Sequence, residues 1–152
     1  MAEPRSATLL TGAVDPVTLE IIRGGLRAIQ SEMEVLIERT AMSPFIREKK
    51  DFYAALFDAA GRLIVGSNLP ISGDVVGPIT EHYPLDTMQP GDIVVLNDPF
   101  RGGTHLPDIT LVSPVFVPGQ KRPSFYVANR AHHSDVGGMS PGSMPVAREV
   151  YQ

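Results

Sequence analysis

The sequence contains no cysteine, and that one absence removes disulfides, thiolate nucleophiles and cysteine-type zinc sites together. Any metal held by this chain must therefore take nitrogen and oxygen ligands. A basic excess is missing too: 13 Lys and Arg stand against 17 Asp and Glu, for a net charge of -4. The only local basic cluster is Arg47-Glu48-Lys49-Lys50. Phosphate backbones are bound by concentrated positive charge, so no nucleic-acid partner is expected. No stretch approaches the roughly 20 consecutive apolar residues of a membrane span. Met1 to Val14 also lacks the basic start and long apolar core of a secretory leader. No membrane partner and a cytoplasmic location follow as expectations.

Nucleotide and serine-hydrolase signatures are equally lacking. Gly102-Gly103 has no Walker lysine, and Gly137-Gly138-Met139-Ser140-Pro141-Gly142 is not followed by a helical pattern, so ATP is not expected to bind this chain directly. Ser134 and Ser143 lie outside any Gly-x-Ser-x-Gly elbow.

What is present is the make-up of a globular protein, with 43% hydrophobic and 20% charged residues. Fourteen glycines and fourteen prolines in 152 residues exceed average usage and crowd the second half, which predicts ordered loops there. Residues 1–14 carry no periodicity and are expected to form a flexible tail. At Asp15-Pro16 an N-cap precedes a proline suited to the first helical position. Val17, Ile21, Ile22, Leu26, Ile29, Met33, Leu36 and Ile37 then recur at three- and four-residue steps. This predicts a long amphipathic helix ended by Ser43-Pro44. Its apolar stripe most simply faces a core, although a subunit interface would produce the same stripe.

Asp51 to Phe57, the turn Asp58-Ala59-Ala60-Gly61 and Arg62 to Val65 read as a β-hairpin. A short helix around Val76 to His82 is compatible with the interrupted stretch that follows. Pro90-Gly91-Asp92 leads into a strand from Ile93 to Leu96, stopped by Asn97-Asp98-Pro99. Ile109 to Val117 and Ser124 to Ala131 read as two further strands joined as a hairpin through residues 118–123. The expected fold class is α+β: a long amino-terminal amphipathic helix, then β-hairpins and Gly/Pro-rich loops, forming part of a larger mixed domain over residues 15–152.

Chemistry concentrates between Asn97 and Met144. The loop Asn97-Asp98-Pro99-Phe100-Arg101-Gly102-Gly103-Thr104-His105-Leu106-Pro107-Asp108 offers an imidazole and a carboxylate three residues apart on a constrained backbone. Zinc, manganese and iron(II) accept that mixture of donors. A second cluster, Ala131-His132-His133-Ser134-Asp135-Val136-Gly137-Gly138, closes the returning strand, so hairpin pairing would bring it beside Asp108. Adjacent strand residues point to opposite faces, so one of His132 and His133 would ligate while the other meets substrate or solvent. A lone His-x-x-Asp is weak, and a loop hydrogen bond explains it as well. Three of four histidines falling between 105 and 133, each near an aspartate, strengthen the metal reading. Asp98 is explained by turn capping, His82 by a surface or packing role, and Glu48 and Asp51 by a salt-bridged surface.

The segments at 97–108 and 128–138, with Pro-Gly-Ser-Met-Pro at 141–145, closely resemble the hydantoinase B/oxoprolinase family. Asp-Pro-Val-Thr-Leu-Glu-Ile-Ile-Arg at 15–23 and Arg-Glu-Lys-Lys-Asp-Phe at 47–52 resemble its amino terminus. The family includes N-methylhydantoinase B subunits, the carboxyl half of 5-oxoprolinase, and subunits of acetone and acetophenone carboxylases. The resemblance implies part of a subunit that opens a cyclic amide such as hydantoin or 5-oxoproline, with ATP used by a hydantoinase A-type partner. A ketone carboxylase subunit and a non-catalytic truncated module are the alternatives. It further implies His105, Asp108 and His132 as metal ligands, Glu48 as a fourth, and manganese as in the acetone carboxylases. His133 or Asp135 would move protons. Family subunits run several times longer, so an amino-terminal fragment is expected.

Overall fold

Asp15 caps the first helix as its sequence requires. Its carboxylate accepts from the Thr18 backbone N–H at 3.0 Å and from the Thr18 hydroxyl at 3.1 Å, and Pro16 occupies the first turn. The computed structural model describes residues 14–67, 75–146 and 148, so the tail expected over 1–14 lies outside the described residues apart from Val14. Helix α1 runs from Pro16 to Thr40 and a single turn, α2, from Pro44 to Arg47. The break between them spans residues 41–43, so α1 ends three residues before the expected Ser43-Pro44, and Pro44 instead opens α2.

Strands β1 (Phe52–Asp58) and β2 (Leu63–Gly66) form the expected hairpin. Asp58 organises its turn: one carboxylate oxygen accepts from the N–H groups of Ala60 and Arg62, each at 2.9 Å, and the other from Arg62 Nε at 2.7 Å. Helix α3 spans Gly77–His82, and β3 (Val94–Leu96), β4 (Asp108–Val115) and β5 (Phe125–His132) follow. All pairings are antiparallel, and the sheet order is β2-β1-β5-β4-β3. The architecture is α+β, a long helix followed by a five-stranded antiparallel sheet. Strand ends fall within two residues of the periodicity-based expectation.

Alternation along the strands creates two unlike faces. On one, Tyr53, Ala55 and Phe57 of β1, Val112 of β4, and Tyr126 and Ala128 of β5 pack under Val75, Val76, Ile79 and Met88. Burying an aliphatic side chain of this size contributes roughly 1.5–3 kcal/mol, so the short α3 segment is a principal source of core stability. The opposite face is thinner, with Phe52 and Ala131 under Ile46, Ile37 and Ala41.

The expectation that the α1 stripe faces a core is corrected here. Val17, Ile21, Ile22, Ile29 and Leu36 are exposed, and Gln30 is the one buried residue of the helix. Leu26, Gln30, Met33, Glu34, Ile37 and Glu38, the partly or fully buried positions of the helix, form a narrow inward row. Helix α1 meets mainly β1, β2 and α2, and this cover on one side leaves much of the stripe, which extends farther round the helix, exposed. Among the described residues no helix is long and apolar enough to cross a membrane.

Candidate metal centre

The β4–β5 hairpin sets the geometry. Its register places Asp108, the first residue of β4, opposite His132, the last of β5. Both side chains are buried, at 9% and 8% exposure, and His132 Nδ1–H donates to Asp108 Oδ1 at 2.8 Å. His105 reaches the same carboxylate from the loop: its backbone N–H donates to Oδ2 at 3.1 Å, and its Nδ1 lies 3.7 Å from that oxygen. Its side chain is 77% exposed, so the cluster opens to solvent on this side. The two imidazoles meet edge to face, with ring centroids 5.7 Å apart.

One ligand atom from each of His105, Asp108 and His132 can be chosen so that all lie within 4.8 Å of one another. Two imidazoles and one carboxylate at that spacing fit a divalent ion that accepts mixed nitrogen and oxygen donors. Asp108 is prepared for the charge. Burial raises its pKa, but hydrogen bonds from the Thr104 hydroxyl, the His105 N–H and His132 outweigh burial and hold it below the ordinary carboxylate range. Thr104 and Asp108 are in direct hydrogen-bond contact.

The loop is built to deliver His105. Its turn is closed on Asp98, whose carbonyl accepts from Arg101 N at 3.0 Å and Gly103 N at 2.9 Å, while its carboxylate accepts from Phe100 N at 2.9 Å. A side chain at Gly103 would place Cβ 2.5 Å from the Asp98 carbonyl oxygen, so only glycine fits. Asn97 stitches the base, donating to Leu106 O at 2.8 Å and Asp108 O at 2.7 Å.

The remaining expected residues lie outside this cluster. His133 is half-buried just beyond β5, its N–H bonded to Pro107 O at 3.0 Å. Asp135 is exposed and accepts from Gly137 N at 2.8 Å, a local turn contact. Glu48 is exposed beside Arg47, 3.5 Å from its guanidinium. His82, exposed, bonds Pro78 O through Nδ1 at 2.9 Å and touches Arg101.

Several residues without a role in the sequence reading shape the site. Phe45 of α2 packs on the His132 ring at 5.5 Å between centroids, and Gly142 O lies 3.3 Å from His132 Nε2. Ser43 and Ser134 bond through their hydroxyls at 2.7 Å, tying the α1–α2 junction to the segment after β5. Arg130 is buried two residues before His132. Strand alternation alone would have placed Arg130 on the face of His132, a signal available from the register.

The chain is similar to known proteins over most of its own length. It is 38% identical over 144 residues to 5-oxoprolinase of Saccharomyces cerevisiae, covering 91% of this chain and 11% of that protein. With caprolactamase subunit beta of Pseudomonas jessenii it shares 34% identity over 143 residues, covering 91% of this chain and 24% of that subunit. The crystal structure of the ATP-dependent caprolactamase from Pseudomonas jessenii superposes with a TM-score of 0.73 at 30% identity, covering 92% of this chain and 25% of that one. The chain thus spans about a tenth to a quarter of these relatives. The hydantoinase B/oxoprolinase profile matches residues 15–152, and the chain belongs to that family.

Proposed function

We propose that this chain is the metal-holding part of a hydantoinase B-type subunit, in an enzyme that opens a cyclic amide such as hydantoin or 5-oxoproline. ATP is used by a hydantoinase A-type partner, and the assembly works in the cytoplasm. The observation that carries the reading is the convergence of His105, Asp108 and His132 within 4.8 Å of one another. Relatives named 5-oxoprolinase and caprolactamase support a lactam-like substrate, and the name of the caprolactamase beta subunit supports a partner chain.

Manganese, zinc or iron(II) bound by those three residues would supply Lewis acidity toward a carbonyl oxygen or an attacking water. The chain's own residues do the rest. Asp108, anchored by Thr104 and the His105 N–H, keeps its negative charge where the imidazoles converge. His132 donates Nδ1–H to that carboxylate, which orients the imidazole beside the proposed ion. Glu48 is the proposed fourth ligand, carried just after the turn whose Phe45 packs on His132. His133 and Asp135, past the end of β5, are the proposed proton carriers.

Titration of the purified chain with Mn2+, Zn2+ and Fe2+, with His105→Ala and Asp108→Ala variants alongside, tests the centre. Either substitution is expected to weaken binding more than about a hundredfold, exceeding what loss of an outer partner costs. Asp108→Ala also costs about 2–3 kcal/mol of stability, because it leaves buried His132 without its charged acceptor. Absence of divalent binding by the wild-type chain sinks the metal centre. ATP consumption with the partner separates the chemistries. Dependence on hydantoin or 5-oxoproline supports amide opening, whereas dependence on bicarbonate plus a ketone replaces it with carboxylation.

A further inference from the structure

One step along the sheet from the Asp108/His132 pair lies a second polar pair. Thr110 stands opposite Arg130 in the β4–β5 register, and strand alternation puts both on the face of Asp108 and His132. Both are buried, at 1% and 7% exposure. A guanidinium taken out of water must find acceptors in fixed directions. Here Arg130 Nε donates to Thr110 Oγ1 at 2.7 Å, and Nη2 donates to the Gly102 carbonyl at 2.6 Å.

The second of these bonds crosses from the sheet to the metal loop. Gly102 lies at the loop's turn, two residues before Thr104 and three before His105. The turn is closed on itself through Asp98, and Thr104 and the His105 N–H bond Asp108 at the start of β4, but none of these bonds joins the turn at Gly102 to the interior of the sheet. The Arg130–Gly102 bond supplies a direct link. Gly102 has φ +81°, and an untethered Gly-Gly turn has wide conformational freedom to lose. Its neighbour His105 is held mainly through backbone contacts, its own ring being largely exposed.

We infer that Arg130 is a positioning residue that ties the 97–108 loop to the sheet through the Gly102 carbonyl, and so fixes His105 against Asp108 and His132. The inference rests on the metal-centre reading above. Arginine suits the task because Nε and Nη2 diverge from one planar group, so one side chain spans Thr110 and Gly102. A lysine ammonium keeps the charge but is a single point on a flexible stem. The function of the tie is therefore geometric, and retaining the charge does not replace it.

Arg130→Lys, Arg130→Met and Thr110→Val test this, with Mn2+ affinity, the visible spectrum of bound Co2+, and amide hydrogen exchange as readouts. Arg130→Lys is expected to weaken Mn2+ binding roughly tenfold or more, the size of effect seen when groups supporting metal ligands are removed. Its Co2+ spectrum should move toward that of His105→Ala, reporting a lost nitrogen ligand. Amides of residues 100–106 should exchange faster while those of β1 and β5 keep their protection. Thr110→Val, which removes one anchor of the guanidinium without changing the side chain's shape, should move the same readouts less. It carries the test if Arg130→Met fails to fold.

Wild-type Mn2+ affinity and an unchanged Co2+ spectrum in Arg130→Lys overturn the inference, because charge alone would then suffice. So does accelerated exchange spread evenly over the sheet, which marks a purely structural role. If the wild-type chain binds neither Mn2+ nor Co2+, the metal centre fails by itself. The loop tie is then decided by exchange at residues 100–106: selective acceleration supports it and unchanged protection refutes it.

Discussion

Helices α1 and α3 reverse the importance that their sequences suggest. Helix α1 has 25 residues, a capped start and sustained apolar periodicity, yet Gln30 is its one buried residue. Helix α3 has six residues in a stretch broken by Gly, Pro and Ser, yet Ile79 and the preceding Val75 and Val76 are 2% exposed or less. Periodicity reports that a helix can bury one side. How much it buries depends on what the remainder of the fold brings against it, and α3 lies against the sheet face that carries the larger core.

That contrast can be broken by measurement. The largest effect is expected at Ile79→Ala, which removes buried methyl groups from the centre of the cluster and should cost about 2–5 kcal/mol in chemical denaturation. A loss under 1 kcal/mol would mean that α3 is not the structural cover described. A smaller loss, about 1–2 kcal/mol, is expected for Gly61→Ala. Gly61 has φ +79°, and a Cβ there would sit 3.0 Å from Val76 Cβ, so the change strains the hairpin turn and presses on the segment leading into α3. The smallest effect belongs to Ile21→Ala on α1, where 69% of the residue is already exposed. Stability should change by no more than about 0.5 kcal/mol. A loss comparable with that of Ile79→Ala would show α1 to be buried in solution and erase the distinction.

The candidate metal centre was legible to different depths at different residues. Turn residues flanking two β-rich segments were enough to predict the β4–β5 hairpin, and with it the approach of Asp108 to the paired histidines. Strand alternation also stated that only one of His132 and His133 could face Asp108. In the structure that residue is His132, bonded to the carboxylate at 2.8 Å. The role of Arg130 was not legible, because its hydrogen-bond acceptor on the loop, the Gly102 carbonyl, is 28 residues away. Gly102 advertises flexibility in sequence, whereas its use as an anchor exists only once the loop lies over the sheet. Phe45 packing on His132 is hidden for the same reason: the contact joins α2 to the far end of β5.

The sequence by itself determined the helix start at Asp15-Pro16, the two hairpins, and the chemical type of any metal ligand in a chain without cysteine. Each of these is decided within a few neighbouring residues, by backbone preference, side-chain period or composition. Tertiary structure alone decided that α1 exposes much of its apolar stripe, that α3 covers the core, and that Arg130 reaches across to the loop bearing His105. Burial and hydrogen-bond partnership belong to pairs of distant segments. They are settled only when strand register fixes which side chains share a face and which loop lies within reach of them.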